Sequence, residues 1–407
     1  MRNSFCLPVA LVFSFAVNAQ FKNDNVLYKT VDPADLCATL AANKGYLLLD
    51  VRTAGEFHDT SSSPSYNLGH LKGAININVR ELGTKLAEIK AYKDKPVFIY
   101  CSHSQRSRRA GKMLADSGFT KLFNINGGMT ALHYSDLKQK GCLNKMVETR
   151  NNYSIISAVE LCGKMIQTNK PFLLDVRPDS AFRHISRDAK ENAYGAFAFS
   201  VNIPLADLAK RIKELPRNQE IIITDIYGDE ATQAAELLIE NSFSKVSVLI
   251  EGIDRLLQMD EKEVSCKNSL YRSPVKYEIL STVEFGRYAK KNKNFMLLDI
   301  RTSEEFANKH SENWRNIGHL KDAVNIPAAD LEQSIAGLGT DKTKEIIIYG
   351  LGGSPEVFAV ASGLYKEGFT NIKVLAGGIF NLRWTAGNVK GQSFLHDWVI
   401  DIPETNQ

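Results

Sequence analysis

The stretch that decides the fold is YLLLDVRTAGEF at residues 46–57, an apolar run that closes on an aspartate and an arginine. The chain repeats this segment as PFLLDVRPDSAF at 171–182 and as FMLLDIRTSEEF at 295–306. The aspartates of the three copies are 125 and 124 residues apart, which is the length of a domain and not of a solenoid repeat. The sequence therefore predicts three copies of one domain in tandem.

Each copy is followed by the same landmarks in the same order. The second landmark is GHLKGAININ (69–78), GAFAFSVNIP (195–204) or GHLKDAVNIP (318–327). The third is an apolar strand, VFIY, IIIT or IIIY, and the fourth is LFNINGG, VSVLIEG or IKVLAGG. Patterns with apolar residues three and four apart, typical of helices, lie between these landmarks. Short strands that alternate with helices predict an α/β fold in which each domain is a mainly parallel sheet flanked by helices.

Polar and charged segments interrupt the apolar periodicity near residues 141–153 and 260–277, and we interpret them as linkers. We place the three domains at residues 24–145, 150–268 and 277–392. Neither linker is long or rich enough in glycine and serine to act as a free tether, so we expect the domains to pack on one another.

The first residues have the pattern of a cleaved signal peptide. Arg2 precedes an apolar run from Phe5 to Val17, and a small residue, Ala19, closes the pattern. The run is shorter than the roughly 20 apolar residues that a membrane-spanning helix needs. We therefore assign residues 1–19 to a signal peptide and expect a mature protein without a membrane span, exported to the periplasm or the cell exterior.

Composition limits the class of partner. The 407 residues are 44% hydrophobic and 24% charged, as in globular proteins, and the net charge is only +4. Because no basic block or interleaved aromatic stripe accompanies this small charge, we expect no nucleic-acid partner.

The landmarks together resemble those of the rhodanese (thiosulfate sulfurtransferase) family. The resemblance rests on Asp-[Val/Ile]-Arg with Glu-Phe, on Gly-His-Leu-x-Gly-Ala, on a strand closing on Cys-x4-Arg, and on a final Gly-Gly. It implies an α/β domain whose catalytic cysteine lies between a central strand and the next helix. That cysteine takes a sulfur atom from a donor as a persulfide and passes it to a nucleophilic acceptor. Matched residue by residue, the cysteine is Cys101.

The chemistry of the loop agrees with this assignment. A cysteine attacks as the thiolate, and backbone N–H groups in a loop that leads into a helix favour such an anion. Arg106 is suited to hold the oxyanion of a donor such as thiosulfate. Two interpretations of His103 remain open, as a group that tunes the thiolate or as an exposed residue. We assign substrate binding to Arg106 and to the other residues of the loop and helix start, namely Ser102, His103, Ser104, Gln105 and Ser107.

The spacing within the loop separates two chemistries. Related phosphatases resemble Cys-x5-Arg, whereas four residues separate Cys101 from Arg106 and position 107 is a serine. Sulfur transfer is therefore favoured over phosphate ester hydrolysis. Mercaptopyruvate-using relatives have a glycine-rich loop without arginine, so thiosulfate, a polysulfide or a persulfide is the expected donor. Ser104 stands where family loops usually have glycine.

The second and third copies lack the reactive residues. Asp225 and Gly350 occupy the position of Cys101, and Glu230 and Pro355 that of Arg106. We therefore expect both later domains to be degenerate. The Asp-x-Arg pair nevertheless persists, so we interpret it as a structural ion pair in all three copies, formed by Asp50 with Arg52, Asp175 with Arg177, and Asp299 with Arg301.

The cysteine count isolates the same residue. Without Cys6 of the signal peptide five cysteines remain, an odd number for an oxidising compartment. Two of them occupy one helix position in the first two copies and two follow the last helix of those copies, while the third copy has neither. We therefore predict the disulfides Cys37–Cys142 and Cys162–Cys266, which leave Cys101 free. We expect no metal and no cofactor, because the cysteines are far apart and form no CxxC motif.

Two hypotheses of function follow. The first is an exported sulfurtransferase that moves sulfane sulfur through a Cys101 persulfide to cyanide, a small thiol or a protein thiol. The alternative is a non-catalytic binding, scaffold or redox-sensing protein built from rhodanese-like modules.

Overall fold

The computed structural model describes residues 28–134, residue 142 and residues 145–403. The signal peptide assigned to residues 1–19 lies outside the described residues. Three units follow one another, and each contains a five-stranded sheet in which every pair of neighbouring strands is parallel. The predicted α/β fold of three tandem domains is thus confirmed.

The first unit builds its sheet in the order β1-β6-β5-β2-β4. Its strands are β1 Tyr28–Val31, β2 Leu47–Asp50, β3 His70–Leu71, β4 Ile75–Asn76, β5 Pro96–Tyr100 and β6 Lys121–Ile125, with β7 Val147–Glu148 after it. Its helices are α1 Pro33–Ala42, α2 Ala54–Phe57, α3 Leu82–Lys85, α4 Gln105–Asp116 and α5 Gly128–His133, with 3-10 turns at Pro64–Tyr66 and Leu86–Tyr92.

The second unit repeats this strand order along the chain. Its strands are β8 Ser154–Ile156, β9 Phe172–Asp175, β10 Ala196–Phe197, β11 Val201–Asn202, β12 Ile221–Thr224, β13 Val246–Leu249 and β14 Tyr271–Arg272. Its helices are α6 Ala158–Met165, α7 Asp179–Phe182, α8 Ala189–Ala193, α9 Leu205–Arg211, α10 Asp229–Glu240, α11 Gly252–Gln258 and α12 Lys267–Leu270, with a 3-10 turn at Ile212–Glu214.

The third unit has the same topology again. Its strands are β15 Glu278–Leu280, β16 Met296–Asp299, β17 His319–Leu320, β18 Val324–Asn325, β19 Ile346–Tyr349, β20 Ile372–Leu375 and β21 Val399–Ile400. Its helices are α13 Thr282–Lys291, α14 Ser303–Phe306, α15 Leu331–Ser334, α16 Pro355–Lys366 and α17 Gly378–Asn388, with 3-10 turns at Asn313–Arg315, Ala328–Asp330, Ile335–Leu338 and Ser393–Trp398.

Both faces of the first sheet are covered, which explains why its strands are apolar runs and not alternating patterns. Val97 and Ile99 of β5 pack with Leu114 of α4 on one face. Phe98 packs on the other face with Leu36 of α1. Because parallel strands all end at the same edge, the loop after β5 lies where ligands bind in open α/β sheets.

The Asp-x-Arg motif forms a buried ion pair in each unit. Arg52 donates from Nε and Nη2 to the Asp50 carboxylate and from Nη2 to the carbonyl oxygen of Gly69, which begins the second landmark. Arg177 and Arg301 repeat this arrangement with their own aspartates and with Gly195 and Gly318. The pair ties the end of a central strand to the loop beside it.

Two disulfides close the first two units, and both predicted pairings are confirmed. Cys37 of α1 is bonded to Cys142, and Cys162 of α6 is bonded to Cys266 just before α12. The segment after each unit also returns to it, because β7, β14 and β21 pair antiparallel with β3, β10 and β17. Among the described residues, no helix is long and apolar enough to cross a membrane.

Candidate active site

Cys101 lies directly after β5, at the start of the loop that leads into α4. Its residue is 1% exposed, and it is the one free cysteine among the residues that the structure describes. A cavity of about 390 Å³ opens at this position. Its lining comes from the Cys101 loop, from α2 and its N-cap, and from the segment around the first 3-10 turn, namely Thr53, Glu56, Ser61, Ser62, Tyr66, Cys101, Ser102, His103, Gln105 and Arg106.

The loop backbone turns sharply at Ser104, which has a left-handed φ of 80°. Gly228 has a φ of 99° at the equivalent position of the second unit. The structure thus explains why glycine is the usual residue here, since other residues adopt this conformation at a cost. The Ser104 hydroxyl offsets part of that cost by accepting a 2.6 Å hydrogen bond from the Gly127 N–H.

The turn at the Gly-Gly landmark, Gly127 and Gly128, packs directly against the cysteine loop. Met129 donates its backbone N–H to the carbonyl oxygen of Cys101 at 2.8 Å, and Thr130 donates to that of Ser102 at 3.1 Å. A Cβ atom on Gly128, whose φ is 57°, would collide with the Cys101 carbonyl oxygen. Glycine is therefore required for α5 to approach the loop this closely.

Arg106 faces the cavity but is already engaged by a carboxylate. Its Nη1 and Nη2 donate to Oε2 and Oε1 of Glu56, both at 2.6 Å, and Nη2 also donates to the Ser102 hydroxyl at 2.9 Å. Burial disfavours the Arg106 charge, but the hydrogen bonds and charge of Glu56, together with the Cys101 sulfur, outweigh it and raise the pKa of Arg106. Arg106 therefore stays cationic beside the cysteine.

Glu56 is held in place by the local sequence of α2. Thr53 caps this helix, and the Glu56 carboxylate closes a capping box by accepting from the Thr53 backbone N–H at 3.0 Å. Burial alone would raise the pKa of Glu56, but the bonds from Arg106 and Thr53 outweigh it and lower the pKa. The sequence assignment omitted Glu56, although its signal was present as the Glu of the Glu-Phe landmark.

The predicted substrate-binding residues do not all reach the cavity. Ser102, His103, Gln105 and Arg106 line it together with Cys101. Ser104 and Ser107 are buried and do not line this cavity. The Ser107 hydroxyl lies 2.6 Å from Oδ1 of Asn124 on β6, so it joins α4 to the sheet.

The second unit shows what the same loop backbone does with an anion. The Asp225 carboxylate, at the position of Cys101, accepts hydrogen bonds from the backbone N–H groups of Gly228, Glu230 and Ala231. Burial raises the pKa of Asp225 to about 6, although these bonds oppose the shift. The loop therefore directs three N–H donors at the side chain that occupies the cysteine position.

The units also differ at the position of Arg106 and at that of its partner Glu56. Ala181 stands at the position of Glu56 in the unit where Glu230 replaces Arg106, so both partners of the ion pair are absent together. In the third unit Glu305 is present, and it pairs with Arg315 at 3.3 Å. No cluster of three or more His, Cys, Asp or Glu side chains suited to a metal ion occurs among the described residues.

A second cavity of about 900 Å³ also lies against the loop, and residues of all three units line it. His103 and Gln105 line both cavities. The second unit contributes Glu251 and Arg255 of the fourth landmark and α11, and the third contributes Trp384 of α17. The cysteine loop thus lies beside all three units, a property that no motif in the sequence indicated.

Comparison with known proteins gives the following matches. The family model of the rhodanese-like domain matches residues 33–134, 158–258 and 284–383. The uncharacterized protein YqhL of Bacillus subtilis is 31% identical over 128 residues, which are 31% of this chain and 90% of that protein. The thiosulfate sulfurtransferase GlpE of Shewanella oneidensis is 32% identical over 75 residues, which are 18% of this chain and 72% of the relative.

A different activity is also represented among the relatives. The tRNA uridine(34) hydroxylase of Cronobacter sakazakii is 27% identical over 122 residues, which cover 29% of this chain and 35% of the hydroxylase. Similarity to this fold is therefore shared by proteins with different reactions, and the reaction has to be argued from the site.

Proposed function

The chain belongs to the family of rhodanese-like domain proteins, and from this premise we propose that it is a sulfurtransferase whose first unit carries sulfane sulfur on Cys101. The observation that carries the proposal is the loop after β5. In the first unit it combines a free cysteine with an adjacent arginine, whereas its equivalents contain Asp225 with Glu230 and Gly350 with Pro355.

The proposed reaction has two steps. The Cys101 thiolate attacks the outer sulfur of thiosulfate, the sulfur–sulfur bond of the donor breaks, and sulfite leaves with its electron pair. The new bond makes a Cys101 persulfide anion. Cyanide or a thiolate then attacks the terminal sulfur and restores the Cys101 thiolate, so charge and atoms balance over the cycle.

The surroundings of Cys101 support an anionic intermediate. In the second unit the same loop backbone binds a carboxylate at the position of Cys101, since Asp225 accepts from three backbone N–H groups, and this supports a loop that can accommodate an anion there. The Arg106 guanidinium adds a positive charge that its pKa keeps in place. Since Glu56 engages both terminal nitrogens of Arg106, we propose that Arg106 acts chiefly on the sulfur anion, with a weaker hold on the donor.

The test is turnover of thiosulfate with cyanide, measured as thiocyanate formed. We expect activity in the wild-type protein, none in Cys101→Ser, and near wild-type activity in Asp225→Asn, which changes the equivalent loop position of the second unit. A wild-type protein that is inert with thiosulfate, polysulfide and persulfide donors would favour the non-catalytic alternative.

We further propose that the protein acts outside the cytoplasm. The two disulfides support this, because disulfides persist in oxidising compartments. Sequencing the amino terminus of the protein from its native cells should find Gln20 first. An intact Met1 in a reduced cytosolic fraction would contradict export.

A further inference from the structure

The second unit departs from the repeat at one residue that faces the first unit. Glu251 occupies the position of Gly127 and Gly377 in the fourth landmark. All three residues have a left-handed φ, at 53°, 68° and 74°. Glutamate adopts this conformation less readily than glycine does, so a compensating interaction is expected at Glu251.

That interaction is with the cysteine loop. Oε1 of Glu251 lies 2.6 Å from Nε2 of His103. Arg255, one helical turn further along α11, lies with Nε 3.9 Å from the other carboxylate oxygen. Burial would raise the pKa of Glu251, but the hydrogen bond from His103, the charge that His103 carries when protonated, and the charge of Arg255 outweigh it and lower the pKa. Glu251 is therefore an ionised acceptor.

A directed series of hydrogen bonds runs from this carboxylate to the cavity of Cys101. Because a carboxylate only accepts, Nε2 of His103 carries the hydrogen. In the neutral imidazole Nδ1 is then an acceptor, and the Ser102 hydroxyl lies 2.9 Å from it. Ser102 in turn accepts from Arg106. The hydrogen bonds thus run in one direction, from Arg106 to Ser102, from Ser102 to His103 and from His103 to Glu251.

We propose that Glu251 is a positioning residue by which the second unit completes the sulfur-transfer site of the first. It fixes the tautomer and the ring orientation of His103, and through His103 it directs the Ser102 hydroxyl next to Cys101. Only the expected effect of Glu251 on turnover rests on the proposed function. The contact itself is independent of the reaction.

Without Glu251 the series has no fixed direction. An Nδ1–H tautomer of His103 would donate to Ser102, and the Ser102 hydroxyl hydrogen would turn away from the ring. The other hydrogen-bonding neighbour of Nε2 does not select the Nε2–H tautomer. The Thr130 hydroxyl lies 3.3 Å from Nε2, but it can donate as well as accept. Trp384 of the third unit donates to the His103 carbonyl oxygen at 3.4 Å, a bond that does not involve the ring nitrogens.

The main variant is Glu251→Gly, which removes the acceptor and restores the residue of the other two copies. We expect kcat for thiosulfate to fall about tenfold, the effect of losing a hydrogen bond to a charged group, while the KM for thiosulfate changes less than about twofold. Glu251→Gln keeps an acceptor oxygen without the charge and should retain more than about a third of kcat. Glu332→Gln, at an exposed residue of the third unit, is the control for the charge change.

Nitrogen-15 spectra of the histidines give a readout that does not need turnover. The wild-type protein should show His103 as the Nε2–H tautomer, with the signal assigned by its loss in His103→Asn. Glu251→Gly should show a mixture of both tautomers. If Glu251→Gly does not fold, Glu251→Asn replaces it, because asparagine tolerates a left-handed backbone and its side chain is one methylene shorter.

The outcomes separate the alternatives. The inference is overturned if Glu251→Gly keeps the wild-type kcat, if Gln and Gly lose kcat equally, or if the tautomer of His103 does not change. A fall in kcat that only parallels a lower Tm would also overturn it, because the role would then be structural. A wild-type protein without turnover defeats the proposed function, and the spectra then still decide whether Glu251 positions His103.

Discussion

Arg106 and Glu56 form a partly buried ion pair beside Cys101. The Glu56 side chain is only 5% exposed, and the two terminal nitrogens of Arg106 both bind it. A buried carboxylate that loses its partner is costly, whereas loss of both partners costs much less. The second unit supports this, because Ala181 and Glu230 have replaced the two residues together.

Arg106→Met should therefore destabilise the protein by about 2 kcal/mol, because it leaves Glu56 buried without its cation. Arg106 itself is 31% exposed, so solvent limits the loss. Adding Glu56→Ala should restore part of the stability, because it removes the unpaired carboxylate but also the capping box of α2, and it should restore none of the sulfur transfer. Urea unfolding and thiocyanate formation measure the two effects. Equal stability of the single and double variants would contradict the pairing.

The titration of Glu230 makes the stability of the folded protein depend on pH, in a direction that its pKa shift defines. Burial, together with the charge of Asp225, raises its pKa from 4.5 to about 7. Between these values the folded protein binds more protons than the unfolded chain, so this group's contribution to stability is lost as pH rises through the window. Glu230→Gln removes that loss.

We expect Glu230→Gln to equal the wild type near pH 4 and to be more stable by about 1 to 2 kcal/mol at pH 8, allowing for the partial exposure of the group. Thermal unfolding across this pH range measures the difference. The exposed Glu332→Gln serves as the control. A gain that is the same at both pH values would show that the cause is not the titration of Glu230.

At the scale of elements, the loop between β5 and α4 combines a conformational cost with a compensating hydrogen bond. Ser104 adopts a left-handed φ, and its hydroxyl accepts from Gly127 on the neighbouring turn. Alanine would keep the conformational cost and lose the bond, whereas glycine would lose the bond and relieve the cost.

Ser104→Ala should consequently be less stable than wild type by about 2 kcal/mol, and Ser104→Gly by less than about 1 kcal/mol. The controls are Lys112→Ala and Lys112→Gly, at an exposed residue inside α4. There the alanine variant should be the more stable of the two, because alanine favours an ordinary helix more than glycine does. Denaturant unfolding of the four variants gives the comparison. The same order at both sites would contradict the account of Ser104.

Most of the strands, helices and ion pairs of each unit could be predicted from the sequence. The reason is that residues shared by all three copies are those that the fold needs, whether or not the copy has a cysteine. Asp50 with Arg52 recurs where the cysteine does not, which identified a structural pair. The same comparison gave both disulfides. The burial of Ser104 and Ser107 was not predicted, because the motif spacing does not show which side chains of the loop and of the first turn of α4 face the cavity.

At the scale of the whole molecule, the second and third units both contact the first unit around its cysteine loop. Glu251 reaches His103 from the second unit, and Arg108 and Asn126 of the first unit donate to the carbonyl oxygens of Gly387 and Asn388 in the third. These contacts join residues more than 100 positions apart. Sequence patterns specify each unit but not how the units pack, so the role of Glu251 could not be derived before the structure.

The central claim is that one residue, Cys101, carries the sulfur. The most direct measurement is the intact mass of the wild-type protein after exposure to thiosulfate and removal of excess donor. The account predicts the addition of one sulfur atom, located on Cys101 by peptide mapping, lost on treatment with cyanide and absent in Cys101→Ser. A protein that gains no sulfur from any sulfane donor, or that gains it at another residue, would contradict the account.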